Sequence, residues 1–387
     1  MKSFSIRLEH RCSQVLFPDS IHTYDTLNVP EDEKLSKGNS EKKDLERKAP
    51  EDIETKVSET EVSETDVSEK STPAVVIFDE NTVQLFPQSK HPHYVLPPGE
   101  QFKNSETLLK IAEWALSVGA SRDTTFIAVG GGVVCDITAF VASMYMRGVP
   151  LILVPTTLLS MVDASLGGKT GIDFAGYKNI LGSFYPAREV RVFPEVLQSL
   201  PKKEYASGLA EVIKQALLRD PALLELLQHR KKEIEKRSPE LLSELIYRSQ
   251  IVKKWYIEQD PYEKDVRGHL NLGHTFGHAL EAVSGLGEWS HGEAVAWGIG
   301  RAMLLGRILE ITPRGYANKV FSLLKLYGYT LEAGDKDAEG IAAAMEKDKK
   351  KKQGKIRFIL QKDLCETVYH TVDRNTLLKS LVAPIPS

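Results

Sequence analysis

A chain of 387 residues with 42% hydrophobic and 27% charged content is long enough for two domains that each bury a core. Its formal net charge of −3 provides no global field for nucleic acid, so any anionic ligand must be held by local basic groups. No run of about 18 apolar residues offers a membrane helix, and Glu9, His10 and Arg11 sit where a secretory signal needs apolar residues. Cys12, Cys135 and Cys365 form no CxxC pair and cannot all join in disulfides, which suits a reducing cytoplasm and argues against thiol chemistry.

Along the chain, residues 31–72 stand apart. Glu, Lys, Ser and Thr crowd out aromatics there, and Val57-Ser58-Glu59-Thr60-Glu61 begins a five-residue repeat, so this insertion is expected to be disordered. After it come AVVIFDE, HYVLPPGE, TTFIAVGGG and VPLILVPTT, short β-rich runs ending in turn or polar residues that read as buried parallel strands. SETLLKIAEWALSVGA and CDITAFVASMYMRG lie between them as helices, which predicts an α/β domain over 1–198. From Pro201 onward KEYASGLAEVIKQALL, PELLSELIYRSQIVKKWYIEQ and SHGEAVAWGIGRAMLLGRIL are helical, with little strand signal, so 199–387 is expected to be a mainly α-helical second domain.

Several motifs carry chemistry. Ile127-Ala128-Val129 runs into Gly130-Gly131-Gly132 and a helical pattern, a turn whose backbone N–H groups can approach a pyrophosphate, although it is not GxGxxG. Asp163 through Asp173 and then Gly176-Tyr177-Lys178-Asn179 lack P-loop spacing; they read as flexible loops whose lysines, Asp and Asn hold a polar anion. Leu270-Asn271-Leu272-Gly273-His274-Thr275-Phe276-Gly277-His278 sets two histidines at i and i+4 on one helix face, and His291 supplies a third. Three imidazoles without cysteine suggest a catalytic Zn²⁺ or similar ion, with Glu211 as a carboxylate ligand. Arg147, Lys169, Lys214, Lys253, Arg267 and Lys349 are spread over both domains and can converge only in a cleft between them. The lysine-rich run 347–352 is short and lacks interleaved aromatics, which disfavours a nucleic-acid patch.

GGGVVCD, YMRG, VPTTLLSMVDASLGGKTGID, YKNILGSFYP, GLAEVIK and LNLGHTFGHALE resemble the 3-dehydroquinate synthase family in order and spacing, over residues 73 to 362. The resemblance implies a Rossmann-like NAD-binding domain followed by a helical metal- and substrate-binding domain, in a homodimer. It implies zinc, or cobalt, on Glu211, His274 and His291, with His278 as an acid/base group instead of a ligand. Implied NAD contacts are Asp79, Asn81, Glu100, Lys103, Gly131, Gly132, Val133, Asp136, Thr156, Thr157, Lys169 and Lys178. Implied substrate contacts are Arg147, Asp163, Lys169, Asn179, Lys214, Lys253, Arg267, Asn271 and a lysine near Lys349, with Glu263 as a further acid. The implied reaction converts the sugar phosphate 3-deoxy-D-arabino-heptulosonate 7-phosphate to 3-dehydroquinate by transient oxidation, phosphate elimination, reduction and aldol closure. Sister sugar phosphate cyclases and metal-dependent polyol dehydrogenases of the same fold are the alternatives. Cys135, Tyr177 and Phe193 depart from the family pattern, and Cys135 and Tyr177 are expected to line the NAD side.

Overall fold

The computed structural model describes residues 2–8, 11–18, 73–86, 89–285, 288–332, 337–349 and 356–386; the 31–72 insertion lies outside them. The chain opens with the antiparallel strands β1 (Lys2–Leu8) and β2 (Arg11–Phe17). Then come β3 (Ala74–Asp79), β4 (His93–Leu96), α1 (Ser105–Ser117), β5 (Thr125–Gly130), α2 (Gly132–Met144) and β6 (Leu151–Pro155). A hairpin of β7 (Lys169–Phe174) and β8 (Tyr177–Phe184) precedes β9 (Glu189–Arg191). One seven-stranded sheet has the order β1-β2-β9-β6-β5-β3-β4, parallel at every pairing except β1 with β2. Each residue of β5 and β6 is buried, as β-branched and aliphatic runs require when helices cover both faces. Strand β4 lies on one side of β3 and β5 on the other, so the chain reverses direction across the sheet between β3 and β5. Ligands of open α/β sheets bind at the carboxyl edge of such a switch point.

The helical part contains α3 (Lys202–Arg219), α4 (Pro221–His229), α5 (Lys231–Glu235), α6 (Pro239–Gln259), α7 (His274–Ser284), α8 (His291–Ile308), α9 (Arg314–Leu326) and α10 (Ala338–Lys349). After these come the strands β10 (Arg357–Asp363) and β11 (Glu366–Thr371), then α11 (Arg374–Val382). Among the described residues, no helix is long and apolar enough to cross a membrane.

Two segments differ from the sequence reading. Residues 169–184 are not flexible loops: Ala175 and Gly176, both at positive φ (51° and 80°), make the two-residue turn that matches strand twist and lets β7 pair with β8. The helical region also contains the β10–β11 hairpin, built on the apolar run Phe358, Ile359 and Leu360, with Cys365 at φ 65° in its turn.

Candidate active site

Three helices bring one carboxylate and two imidazoles together. Glu211 projects from the middle of α3 and is fully buried. His274 is the first residue of α7, released into the helix by Gly273 at φ 82°. His291 is the first residue of α8, fixed by a capping box in which Ser290 Oγ accepts from Glu293 N and Glu293 Oε2 accepts from Ser290 N. Glycines allow the helices to touch. A methyl on Gly277 would lie 2.9 Å from the Ala294 carbonyl oxygen, while methyls on Gly298 and Gly292 would run into the backbones of Gly273 and Ser207. Gly298→Ala is therefore expected to lower stability by roughly 1–3 kcal/mol and to weaken metal binding by displacing His274; thermal melting with and without divalent cation reads both effects.

Glu211 Oε1 lies 3.5 Å from His274 Nε2 and 3.6 Å from His291 Nε2. Donors bound tetrahedrally to zinc at about 2.0–2.1 Å stand about 3.3 Å apart, close to this spacing. Neither buried oxygen of Glu211 accepts a well-formed hydrogen bond, although the Lys214 ammonium lies against Oε2. The electrostatics also call for a cation. Burial opposes the Glu211 charge, yet Lys214, His274 and His291 hold its pKa well below the usual carboxylate range. Burial, then Lys214, depresses His274, which leaves its ring neutral with a lone pair available. Against burial, Glu211 and Glu281 raise His291 to about 9, so a proton there supplies positive charge that a metal would replace. The three residues fit a divalent ion.

His278, one turn along α7, stacks edge-on to His274 with ring centroids 5.3 Å apart. It groups with Glu281 and His291 but not with Glu211. The i, i+4 spacing offered it as a third imidazole ligand; among the described residues two groups could hold an ion, Glu211 with His274 and His291, and His278 with Glu281 and His291. Glu281 was not anticipated. Its carboxylate lies 3.9 Å from His291 Nδ1, the ring nitrogen turned away from Glu211, and 3.3 Å from Lys178 Nζ. A single Glu in HALEAVS gives no signal beyond its position three residues after His278 and seven after His274.

Beside this group is a cluster of cations. Lys253, buried on α6, donates to the backbone and carboxylate oxygens of Asp163 at 2.5 Å each; Asp163 lies in the π-helical turn Ser160–Ala164. Lys169 at the start of β7 pairs with Glu263, whose other oxygen accepts from Asn271 Nδ2 at 2.6 Å. Desolvation, then Arg267 and Lys253, pushes the Lys169 ammonium down to about 8. Arg267 is buried beneath them and donates to the carbonyls of Pro261 and Gly167. Burial lowers the pKa of Lys253, which shows the cost of collecting this charge without an anionic ligand.

The other anticipated residues lie around this centre or beyond the described side chains. Asn179 joins Lys103, whose Nζ donates at 2.5 Å to both Asn179 Oδ1 and Asp136 Oδ2, and Asp136 in turn feels the charge of Lys253, so this group borders the cation cluster. Lys178 reaches Glu281 of α7. Arg147 is exposed at φ 68° in the turn after α2 and makes no ion pair with the cluster among the described residues. Lys349 ends α10, and its side chain lies outside the described residues.

Along the carboxyl edge of the sheet stand the remaining positions. Asp79 ends β3 and accepts from Asn81 N and Thr82 N at 3.0 and 2.9 Å, while Thr82 Oγ1 donates to Val129 O at 2.9 Å and ties β3 to β5 at the switch point. Glu100 and Lys103 follow β4. Gly131, Gly132, Val133 and Asp136 form the turn and first residues of α2, where a methyl on Gly131 would lie 3.2 Å from Thr157 Cγ2. Thr156 and Thr157 follow β6. Bare backbone at a helix N-terminus beside a parallel sheet suits a pyrophosphate. Cys135 does not line this edge openly: it is 1% exposed with Sγ 3.6 Å from Gly130 O, and Tyr177 is exposed at the start of β8. Phe193 is fully buried.

Family profiles described as 3-dehydroquinate synthase N-terminal and 3-dehydroquinate synthase C-terminal match residues 93–207 and 208–351. The 3-dehydroquinate synthase of Acidithiobacillus ferrooxidans is 39% identical over 306 residues, covering 76% of this chain and 84% of that protein. That of Nitrosospira multiformis is 42% identical over 276 residues, covering 71% and 75%. Among solved structures, 2-epi-5-epi-valiolone synthase from Streptomyces hygroscopicus, with NAD⁺ and Zn²⁺ bound, superposes with a TM-score of 0.74 at 25% identity over 80% of this chain and 91% of its own. A 2-deoxy-scyllo-inosose synthase superposes with a TM-score of 0.76 at 21% identity over 98% and 99%, a likeness of fold.

Proposed function

The chain belongs to the 3-dehydroquinate synthase family, and we propose that it is a carbon–oxygen lyase converting 3-deoxy-D-arabino-heptulosonate 7-phosphate to 3-dehydroquinate and inorganic phosphate. The observation that carries this reading is a divalent-cation set, Glu211, His274 and His291, beside the cations Lys214, Lys253, Lys169 and Arg267. A sugar that carries hydroxyls, a carboxylate and a phosphate needs both. We propose the division of the chain at 198/199, just before α3, where the helical run begins. Three free cysteines support a cytoplasmic location.

Glu211, His274 and His291 would hold zinc or cobalt. NAD would lie along Asp79, Glu100, Lys103, the Gly131–Asp136 turn, Thr156 and Thr157. When bound, the two together supply reversible oxidation of one carbinol, which acidifies the neighbouring C–H and allows phosphate to leave. His278, outside the ligand set but next to it, takes and returns the proton of a substrate hydroxyl. Lys253 and Lys169 bind the anionic groups and stabilise the departing phosphate; Asp163 keeps Lys253 charged and aimed. Arg267 spends two donors on backbone carbonyls and presents the remaining guanidinium edge to the carboxylate. Asn271 and Glu263 complete the wall of the site.

A second copy of the chain is proposed to cover the exposed apolar side chains Met144, Met146, Ile180, Phe184 and Tyr262, the last two in edge-on contact at 5.3 Å between centroids.

Recognition of the carboxylate separates this reading from a sister cyclase. Sedoheptulose 7-phosphate lacks that group, so it is expected to be used less efficiently by at least about 10²-fold, because buried cations are left unpaired. Side-by-side kcat/KM values decide: equal or better use of sedoheptulose 7-phosphate would reassign the substrate.

A further inference from the structure

We propose that Tyr369, on the C-terminal hairpin, is a positioning residue that clamps the loop presenting Glu263, Arg267 and Asn271. The inference rests on the reading above for what those three residues bind. Tyr369 lies beyond residue 351, where the match to the family profile ends.

The loop has two anchors. From inside, the Asp260 carboxylate accepts the backbone N–H of Lys264 at 2.9 Å, Asp265 at 2.7 Å and Arg267 at 3.2 Å. From outside, Tyr369 Oη donates to the Asp265 carbonyl at 2.6 Å, the same oxygen that accepts Gly268 N at 3.0 Å and opens the 3₁₀ turn Val266–Asn271. The phenol fits only because residue 268 is glycine: a methyl there would collide with Tyr369 Oη. The ring is gripped in turn, with the Arg357 guanidinium 3.5 Å above its centroid and the His269 ring 4.8 Å away.

The hairpin is itself a firm base. Leu217 O of α3 accepts from Gln361 Nε2 at 2.9 Å and from Cys365 N at 3.0 Å, while Gln361 also accepts from Thr312 Oγ1 at 2.6 Å and Tyr316 Oη at 2.8 Å. Helix α3 carries Glu211 and Lys214. Tyr369 therefore references the loop to the helix that holds the metal-side carboxylate. Without its hydroxyl, Asp260 still shapes the loop, but the turn bearing Arg267 and Asn271 loses its outer fixed point.

The test compares holoenzyme with Tyr369→Phe and Tyr369→Ala. Loss of one hydrogen bond from a binding loop predicts a KM for the heptulosonate phosphate about five- to tenfold higher in Tyr369→Phe, with kcat within about twofold and metal content unchanged. Amide exchange should accelerate at 265–272 and not in α3 or α7, with a larger change in Tyr369→Ala. Wild-type KM and wild-type exchange in Tyr369→Phe would overturn the clamp, as would faster exchange with KM unchanged. A wild-type protein that leaves the heptulosonate untouched would defeat the functional reading instead, and the exchange rates would still decide the clamp.

Discussion

Replacing His274 by alanine is expected to abolish bound metal and turnover together, whereas His278→Ala keeps the metal and loses turnover. His274 Nε2 is 3.5 Å from Glu211 Oε1 at the start of α7, and its lowered pKa leaves the lone pair free for a cation. Removing it leaves only Glu211 and His291, one donor short of the three protein ligands a catalytic zinc site uses. His278 lies one turn further on and is not part of the set around Glu211. Its loss should cost about 10²–10⁴-fold in kcat, the range for a general acid or base. Metal analysis of the purified variants, beside steady-state rates, separates the two roles; equal metal loss in both would show that the division is wrong.

Lys214→Ala should produce the opposite pattern: metal and NAD retained, substrate use lost by roughly 10²–10³-fold in kcat/KM. Lys214 is 1% exposed and its ammonium lies against Glu211, three residues earlier on α3. In the metal-free protein the substitution leaves the buried Glu211 carboxylate with only the protonated His291 as counter-charge, and stability should fall by roughly 1–3 kcal/mol. Added divalent cation takes up the freed charge and should recover most of that loss. Melting curves of the variant with and without metal therefore carry a signature that a simple packing defect lacks. A variant that loses metal along with activity would place Lys214 in the structural support of the ion instead of the substrate pocket.

The parallel strands were legible because Val, Ile, Phe and Leu run unbroken where helices cover both faces, as in Thr125–Gly130 and Leu151–Pro155. The histidines stood out because a helix turns a spacing of four into a shared face, yet of that pair only His274 lies in the group with Glu211. What the sequence withheld depends on tertiary contact. Residues 169–184 are rich in glycine and polar groups, and only the Ala175-Gly176 turn and its pairing make them a hairpin. Glu281 reads as an ordinary helix charge until α8 brings His291 beside it. Asn179 belongs with Lys103 and Asp136 through a fold-over of 76 residues from Lys103, which no local pattern encodes. The nearness of Glu211 to His274 is likewise spatial, since Glu211 lies 63 residues earlier on a helix that meets α8 at Gly292.

The most direct measurement is phosphate release from 3-deoxy-D-arabino-heptulosonate 7-phosphate by the purified protein with catalytic NAD⁺ and Zn²⁺, while nicotinamide absorbance is followed. Phosphate appearing over many turnovers with no accumulating NADH, and stopping when a chelator is added, is the predicted result. NADH building up with a simple polyol and no phosphate released would contradict the account and make the protein a dehydrogenase.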